Sequence, residues 1–222
     1  MQDSVVPPPW KLTGDGYVIF YRFPRDFALQ FIPEALQDRF RGGLGALAFV
    51  DYKTSDVGGY RELLFIPGRF DDGKKARHSI TQIYVSTYSS VISGRANWGI
   101  PKERAGFDLQ MRTDGSDVLS ASALNGDPIL ELIVRQGVIK LPIPHTRLCP
   151  ISIVQWWEGQ QFNTRFWGSG RLSLLDVEGV QVNGALFPDV SGQTPIGAFK
   201  ISDFSIVFNV PKTTPVTSAP AP

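Results

Sequence analysis

Along this chain apolar residues come in short runs rather than long heptad-like stripes, and glycine and proline cut one run from the next. That pattern predicts a mainly β architecture. Tyr17–Phe23 is rich in aromatic and β-branched residues and reads as a strand. After Pro24, the segment Arg25–Phe31 places Phe27 and Phe31 on one helical face before Pro33 stops it. Gly45–Tyr52 and Tyr60–Pro67 flank a polar turn and read as paired strands. Ser79–Ser86 follows as another, with Ile80, Gln82 and Tyr84 facing one way and Thr81, Ile83 and Val85 the other.

Hairpin signals strengthen from Phe107 onward. Phe107, Leu109 and Met111 alternate with polar residues up to Asp114-Gly115, and Asn125-Gly126 separates Val118–Leu124 from Ile129–Arg135. Both dipeptides suit type I′ turns, so the region reads as a meander. Ile151–Glu158, Gln161–Trp167, Arg171–Val182 and Ala198–Val210 supply further strands, with Gly168-Ser169-Gly170 read as a turn. The expectation is about ten to twelve strands with two short helices, and a sheet of that size tends to curl into a barrel or cone. Residues 1–210 read as one domain, and 211–222, rich in proline and threonine, as a mobile tail.

Composition narrows the class. With 222 residues, 42% of them hydrophobic, the chain is long enough for a core that needs no metal or disulfide staple. Its one cysteine, Cys149, excludes a disulfide scaffold. The 22 basic and 21 acidic side chains leave a net charge of +1, which argues against a nucleic-acid partner. No apolar run approaches the roughly 18 residues that span a bilayer, and Met1–Pro9 lacks the charge and apolar pattern of a secretory signal. A cytoplasmic protein without a membrane partner, monomeric or homo-oligomeric, is therefore expected.

Familiar catalytic signatures are missing: the sequence has no Walker loop, dinucleotide fingerprint, G-x-S-x-G elbow or HExxH. His78 and His145 lie far apart and read as surface or structural residues, so no metal site is expected. Cys149, beside Pro150, reads as an inert thiol. Tandem Trp156-Trp157 points to both faces of a strand, one toward a core and one toward a cavity or interface. The segment Ser89–Arg104 differs, because it runs from a short helix into an aromatic loop that ends at Lys102. Trp98, Ile100 and Phe107 would desolvate the Lys102 amine, and burial lowers the pKa of a lysine toward what a Schiff-base nucleophile requires.

Two motifs, Gly94-Arg95 through Pro101-Lys102 and Gly58-Gly59-Tyr60-Arg61-Glu62, resemble those of the acetoacetate decarboxylase family in order and spacing. An upstream aromatic strand, a short helix and Ile32-Pro33-Glu34 extend the resemblance over residues 14–108. It implies a closed β-barrel or cone with an internal cavity, no cofactor, and a small-molecule carbonyl substrate that forms a Schiff base with Lys102. Glu62 would be the acid/base partner and Arg95 a further catalytic cation, with Tyr60, Trp98 and Glu103 contacting substrate. Departures from the family pattern are as informative. Acetoacetate decarboxylase is itself the standard example of a lysine activated by a neighbouring cation, yet the residue after Lys102 is Glu103, leaving Arg104 or Arg95 to compensate. In ungapped register a family glutamate falls on Leu47, an arginine on Gly14 and another glutamate on Ala96.

Those losses make strict acetoacetate decarboxylation a poor fit and favour a larger, more apolar β-keto or polyketide-like compound. The sequence-level expectation is a lyase working by aldol chemistry, dehydration or decarboxylation. Two alternatives are a non-covalent cyclase or isomerase of an apolar secondary metabolite and a small-molecule-binding barrel without catalysis.

Overall fold

The computed structural model describes residues 4–146 and 151–216; Cys149 lies outside them. The described elements are β1 (Trp10–Tyr21), α1 (Arg25–Leu29), α2 (Glu34–Gln37), β2 (Phe40–Gly42), β3 (Gly45–Thr54), β4 (Tyr60–Ile66), β5 (Arg69–Asp71), β6 (Ala76–His78) and β7 (Gln82–Val85). They continue with α3 (Tyr88–Trp98), β8 (Lys102–Arg104), β9 (Gly106–Met111), β10 (Ser116–Ser122), β11 (Pro128–Gln136), β12 (Leu141–Ile143), β13 (Ile151–Trp157), β14 (Gln160–Val182), β15 (Pro195–Phe208) and β16 (Lys212–Pro215).

Neighbouring strands follow the order β2-β5-β6-β13-β14-β15-β1-β3-β4-β7-β8, with β9, β10 and β11 attached through β14. The protein is thus mainly β, as expected, but the path does not close: β2 pairs with β5 and β8 with β7, and these ends do not meet. Most neighbours are antiparallel. Two pairs are parallel instead, β6 with β13 and β7 with β8, and in the second α3 makes the crossover that a parallel pair requires.

Several local expectations change for identifiable reasons. The 168–170 segment is no turn but lies inside the 23-residue strand β14. Gly168 is there because a Cβ would meet the Ser205 carbonyl oxygen at 2.3 Å, and the register with β15 slips between Ser169 and Arg171. In the two hairpins Gly115 and Gly126 have positive φ while Asp114 and Asn125 do not. The loops close through Arg112 N–H to Ser116 O and Ala123 N–H to Asp127 O, so they are three-residue connections rather than type I′ turns. Residues 212–215, expected in a mobile tail, form β16 on the Gln160 end of β14. Their backbone groups take up one free edge of that strand, a gain that composition does not reveal.

Alternation along the strands builds two cores on opposite faces of the sheet. Tyr17, Ile19, Leu47, Phe49, Leu63 and Phe65 belong to one, packed against the β9–β11 meander and the first helices. Trp10, Leu12, Val50, Tyr60, Ile83 and Trp98 belong to the other, which α3 covers. Each fully buried Leu or Phe contributes about 2–3 kcal/mol. β1 serves both cores, Trp10 and Leu12 on one face and Tyr17, Ile19 and Tyr21 on the other, with register slips near Gly14 where it crosses between them.

Candidate functional site

Period-two alternation in β4 puts Tyr60, Glu62, Leu64 and Ile66 on one face, and β3 pairs Tyr52 with Tyr60 and Val50 with Glu62. β8 sets Lys102 opposite Ile83 of β7. From above, α3 presents Ser90, Gly94 and Trp98 four residues apart, one helical face. Together with β1, β13, β14 and β15 these elements line a cavity of about 140 Å³, walled mainly by Trp10, Trp98, Phe166, Phe208 and aliphatic side chains. Tyr52, Tyr60, Glu62 and Lys102 are its polar lining.

Lys102 is 3% exposed and Glu62 4%. The Lys102 ammonium uses all three of its protons: it donates to Glu62 Oε2 at 3.0 Å, to Ser90 Oγ at 3.0 Å and to the Tyr60 hydroxyl at 3.4 Å. Tyr52 donates its hydroxyl to Glu62 Oε1 at 3.4 Å. The amine also lies 4.9 Å from the centre of the Tyr60 ring, a cation–π contact. Gly94 is required beneath it, because a Cβ there would come within 2.6 Å of Lys102 Cδ.

Burial works against the ammonium, as the sequence suggests, but the adjacent Glu62 carboxylate outweighs it and Lys102 sits above the ordinary lysine value. The lowered pKa expected from aromatic desolvation is therefore corrected. Burial pushes the Tyr60 hydroxyl up to about 12. Tyr52 is held well above the usual tyrosine range by burial and by Glu62. Resting Lys102 is a paired ammonium, and the cavity carries one positive and one negative charge.

Of the residues singled out from sequence, Lys102, Glu62, Tyr60 and Trp98 meet at this cavity. Arg95 does not. One residue beyond Gly94, it turns about 100° round the helix and lines a second cavity of about 600 Å³, where its guanidinium stacks over Trp157 at 5.4 Å. Glu103 and Arg104 are both exposed beside the buried Lys102, so neither supplies a contact to the amine. Glu103 instead lies close enough to Tyr84 to help burial raise that hydroxyl. Phe107 packs on Phe49 in the opposite core. Trp156 packs beside Phe70, and Trp157 faces the second cavity, the division expected of adjacent strand residues.

Sequence reasoning missed Ser90 and Tyr52. The i, i+4 spacing from Gly94 is the signal that would have found Ser90, whereas Tyr52 needs the β3–β4 register. Among the described residues no three histidine, cysteine, aspartate or glutamate side chains converge to hold a metal ion, and no helix is long and apolar enough to cross a membrane.

An open, mainly antiparallel sheet whose buried lysine–glutamate pair faces an apolar cavity defines the class of this protein: a β fold built around one lysine-centred pocket. The family model for acetoacetate decarboxylase (ADC) matches residues 1–141. That is more than half of the chain, and the protein belongs to the acetoacetate decarboxylase family. None of the curated proteins matches the sequence. An acetoacetate decarboxylase from Legionella pneumophila shares the fold with a TM-score of 0.74 at 11% identity, over 96% of this chain and 90% of that one. The enduracididine biosynthesis enzyme MppR, complexed with pyruvate, gives 0.63 at 14% identity over 94% and 91%. An acetoacetate decarboxylase-like enzyme from Sphingomonas wittichii RW1 gives 0.63 at 12% identity over 97% and 95%.

Proposed function

We propose that the protein is a carbonyl lyase that forms a Schiff base at Lys102. The observation that carries this reading is the placement of the Lys102 amine: buried, on the wall of an apolar cavity, with a carboxylate 3.0 Å away to move its protons. Membership of the acetoacetate decarboxylase family supports an enzyme acting on a carbonyl compound.

The proton inventory closes within the pair. Lys102 gives one proton to Glu62 and becomes a free amine, which attacks the substrate carbonyl carbon as the C=O π electrons move onto oxygen. Glu62 returns its proton to that oxygen, then accepts a second proton from the nitrogen of the carbinolamine. Delivered to the hydroxyl, this proton lets it leave as water, and the nitrogen lone pair forms the iminium. In sum, ammonium and carbonyl become iminium and water, with the Glu62 carboxylate restored. The iminium then accepts the electron pair of a breaking Cα–Cβ bond, or acidifies a Cα–H for aldol or dehydration chemistry. Tyr60 and Ser90 hold the amine toward the cavity, and Trp98 shapes the space beside it.

A second reading, non-covalent cyclisation or isomerisation, is favoured by one feature: the resting ammonium, on exchanging Tyr60 or Ser90 for a substrate carbonyl oxygen, would polarise that carbonyl without attacking it. Borohydride trapping with a panel of ketones, followed by peptide mass spectrometry, separates the two. A reduced adduct confined to Lys102 is expected. Bound ligand without any adduct would overturn the covalent reading.

A further inference from the structure

The charges of the cavity balance before substrate enters and stay balanced afterwards. Lys102 carries +1 as an ammonium offset by Glu62 at 3.0 Å, and an iminium would carry the same +1 beside the same carboxylate. A keto acid would bring a second negative charge into the same space. The lining contains no arginine, histidine or second lysine to receive it. The Arg61 guanidinium is on the other face of β4, bound to Asp51 at 2.9 Å, and Arg95 belongs to the second cavity. Neutral donors are few: the Trp98 indole N–H bonds to Asn209 O at 2.7 Å, that of Trp10 to Val6 O at 3.1 Å and the Tyr52 hydroxyl to Glu62 Oε1 at 3.4 Å, which leaves the Tyr60 hydroxyl, itself an acceptor from Lys102, as the remaining donor of the lining. A buried carboxylate with a single hydroxyl partner and no cation of its own is strongly disfavoured.

Size narrows the choice further. At about 140 Å³ the cavity is close to the apolar cavity of about 150 Å³ that accepts a benzene-sized guest. Its walls suit an aromatic ring, since Trp98 meets Trp10 and Phe208 edge-to-face at 4.8 and 5.0 Å.

We infer that the cavity selects a neutral ketone or aldehyde bearing one apolar group of about the bulk of a benzene ring, and discriminates against the matching keto acid. The inference rests on the site proposed above for its location, not on whether the lysine becomes covalent. It favours carbon–carbon cleavage, condensation or dehydration over loss of carbon dioxide, because the substrate brings no carboxylate.

Phenylacetone and phenylpyruvate make a matched test, differing by a methyl group against a carboxylate beside the same carbonyl. Both are incubated with the intact protein and cyanoborohydride, adduct is measured by mass, and binding is measured in parallel by calorimetry without reductant. The expected result is an adduct with phenylacetone that half-saturates at a concentration at least tenfold below that for phenylpyruvate. Equal or better trapping of phenylpyruvate would overturn the substrate class while leaving the Lys102 chemistry standing. If neither ketone is trapped, tenfold tighter calorimetric binding of phenylacetone upholds the substrate class and removes the covalent step. Equal binding of the two, or no binding of phenylacetone, overturns the inference.

Discussion

Two buried lysine–carboxylate pairs lie on opposite faces of one sheet, and their chemistry is almost the same. Lys102 meets Glu62 at 3.0 Å with its amine 4.9 Å from the Tyr60 ring. Lys200 meets Asp117 at 2.9 Å with its amine 4.6 Å from the Tyr17 ring, and Tyr17 donates its hydroxyl to the same Asp117 oxygen at 2.8 Å. What separates them is neighbouring space. Lys102 borders an apolar cavity; Lys200 lines neither cavity and, across the packed core, ties β15 and β1 to β10. A buried ion pair is therefore not by itself a sign of chemistry. Its desolvation cost is large in both places, and only the pair beside a cavity can act on a ligand.

The largest expected effect tests that division directly. Lys102→Met abolishes the trapped adduct, a loss of at least about 10³-fold against wild type, and leaves a protein of near-native melting temperature when Glu62→Gln accompanies it. Lys200→Met does the reverse. It strands the Asp117 carboxylate with one hydroxyl partner, costs about 3–5 kcal/mol in denaturant unfolding, and keeps the adduct. Replacing both partners, as in Lys200→Met with Asp117→Leu, recovers much of that loss. Undiminished trapping in Lys102→Met would dissolve the comparison.

Glu62→Gln sharpens it through pH. Without the carboxylate the largest influence opposing burial is gone and Tyr60 alone remains against it, so the pH midpoint for adduct formation moves down. The maximal rate falls about 10²–10⁴-fold, because no base remains to pass the protons. Stability follows from the same linkage. The folded value of Lys102 is raised, so its contribution is fully present below the ordinary lysine pKa and is lost as pH rises through the raised native value. Alkaline unfolding curves compared between wild type and Glu62→Gln measure that contribution, and identical slopes would refute the coupling.

A smaller effect is expected at Gly94, where the new Cβ of Gly94→Ala would press on Lys102 Cδ and Cε at 2.6 and 2.9 Å. Displacing the amine by about 1 Å slows adduct formation on the order of 10²-fold, with about 1–3 kcal/mol of overpacking. Gly94 also shows how far the sequence was legible. Tyr60-x-Glu62 places two cavity residues by alternation alone, and Gly94 through Lys102 joins helix to strand at readable spacing, so the mainly β fold and most of the lysine pocket came from local pattern. Ser90 and Tyr52 did not, because their roles depend on a helix packing over one particular strand pair and on the Tyr52–Tyr60 register. The open ends at β2 and β8 were hidden for a related reason: three-residue strands carry too little pattern to reveal what they pair with.

Arg95 gives the smallest expected effect and the narrowest test of the geometry. Sequence adjacency to Gly94 made it a candidate cation for the reaction, but adjacent positions on a helix point about 100° apart. Gly94 rests against Lys102, and Arg95 accordingly lies over Trp157 in the other cavity, its Nε buried and without a hydrogen-bond partner. Arg95→Met keeps the apolar stem against the indole and removes only the charge, so it should change the rate and pH midpoint of phenylacetone trapping by no more than about threefold and a few tenths of a unit, since Arg95 lies outside the Lys102 cavity and is not among the groups that shift the amine. Tryptophan fluorescence should shift as the cation leaves Trp157, which verifies that the substitution reached its target. A large loss of trapping with fluorescence otherwise native would mean that the two cavities communicate through α3, and that the charge balance drawn around Lys102 and Glu62 is too small.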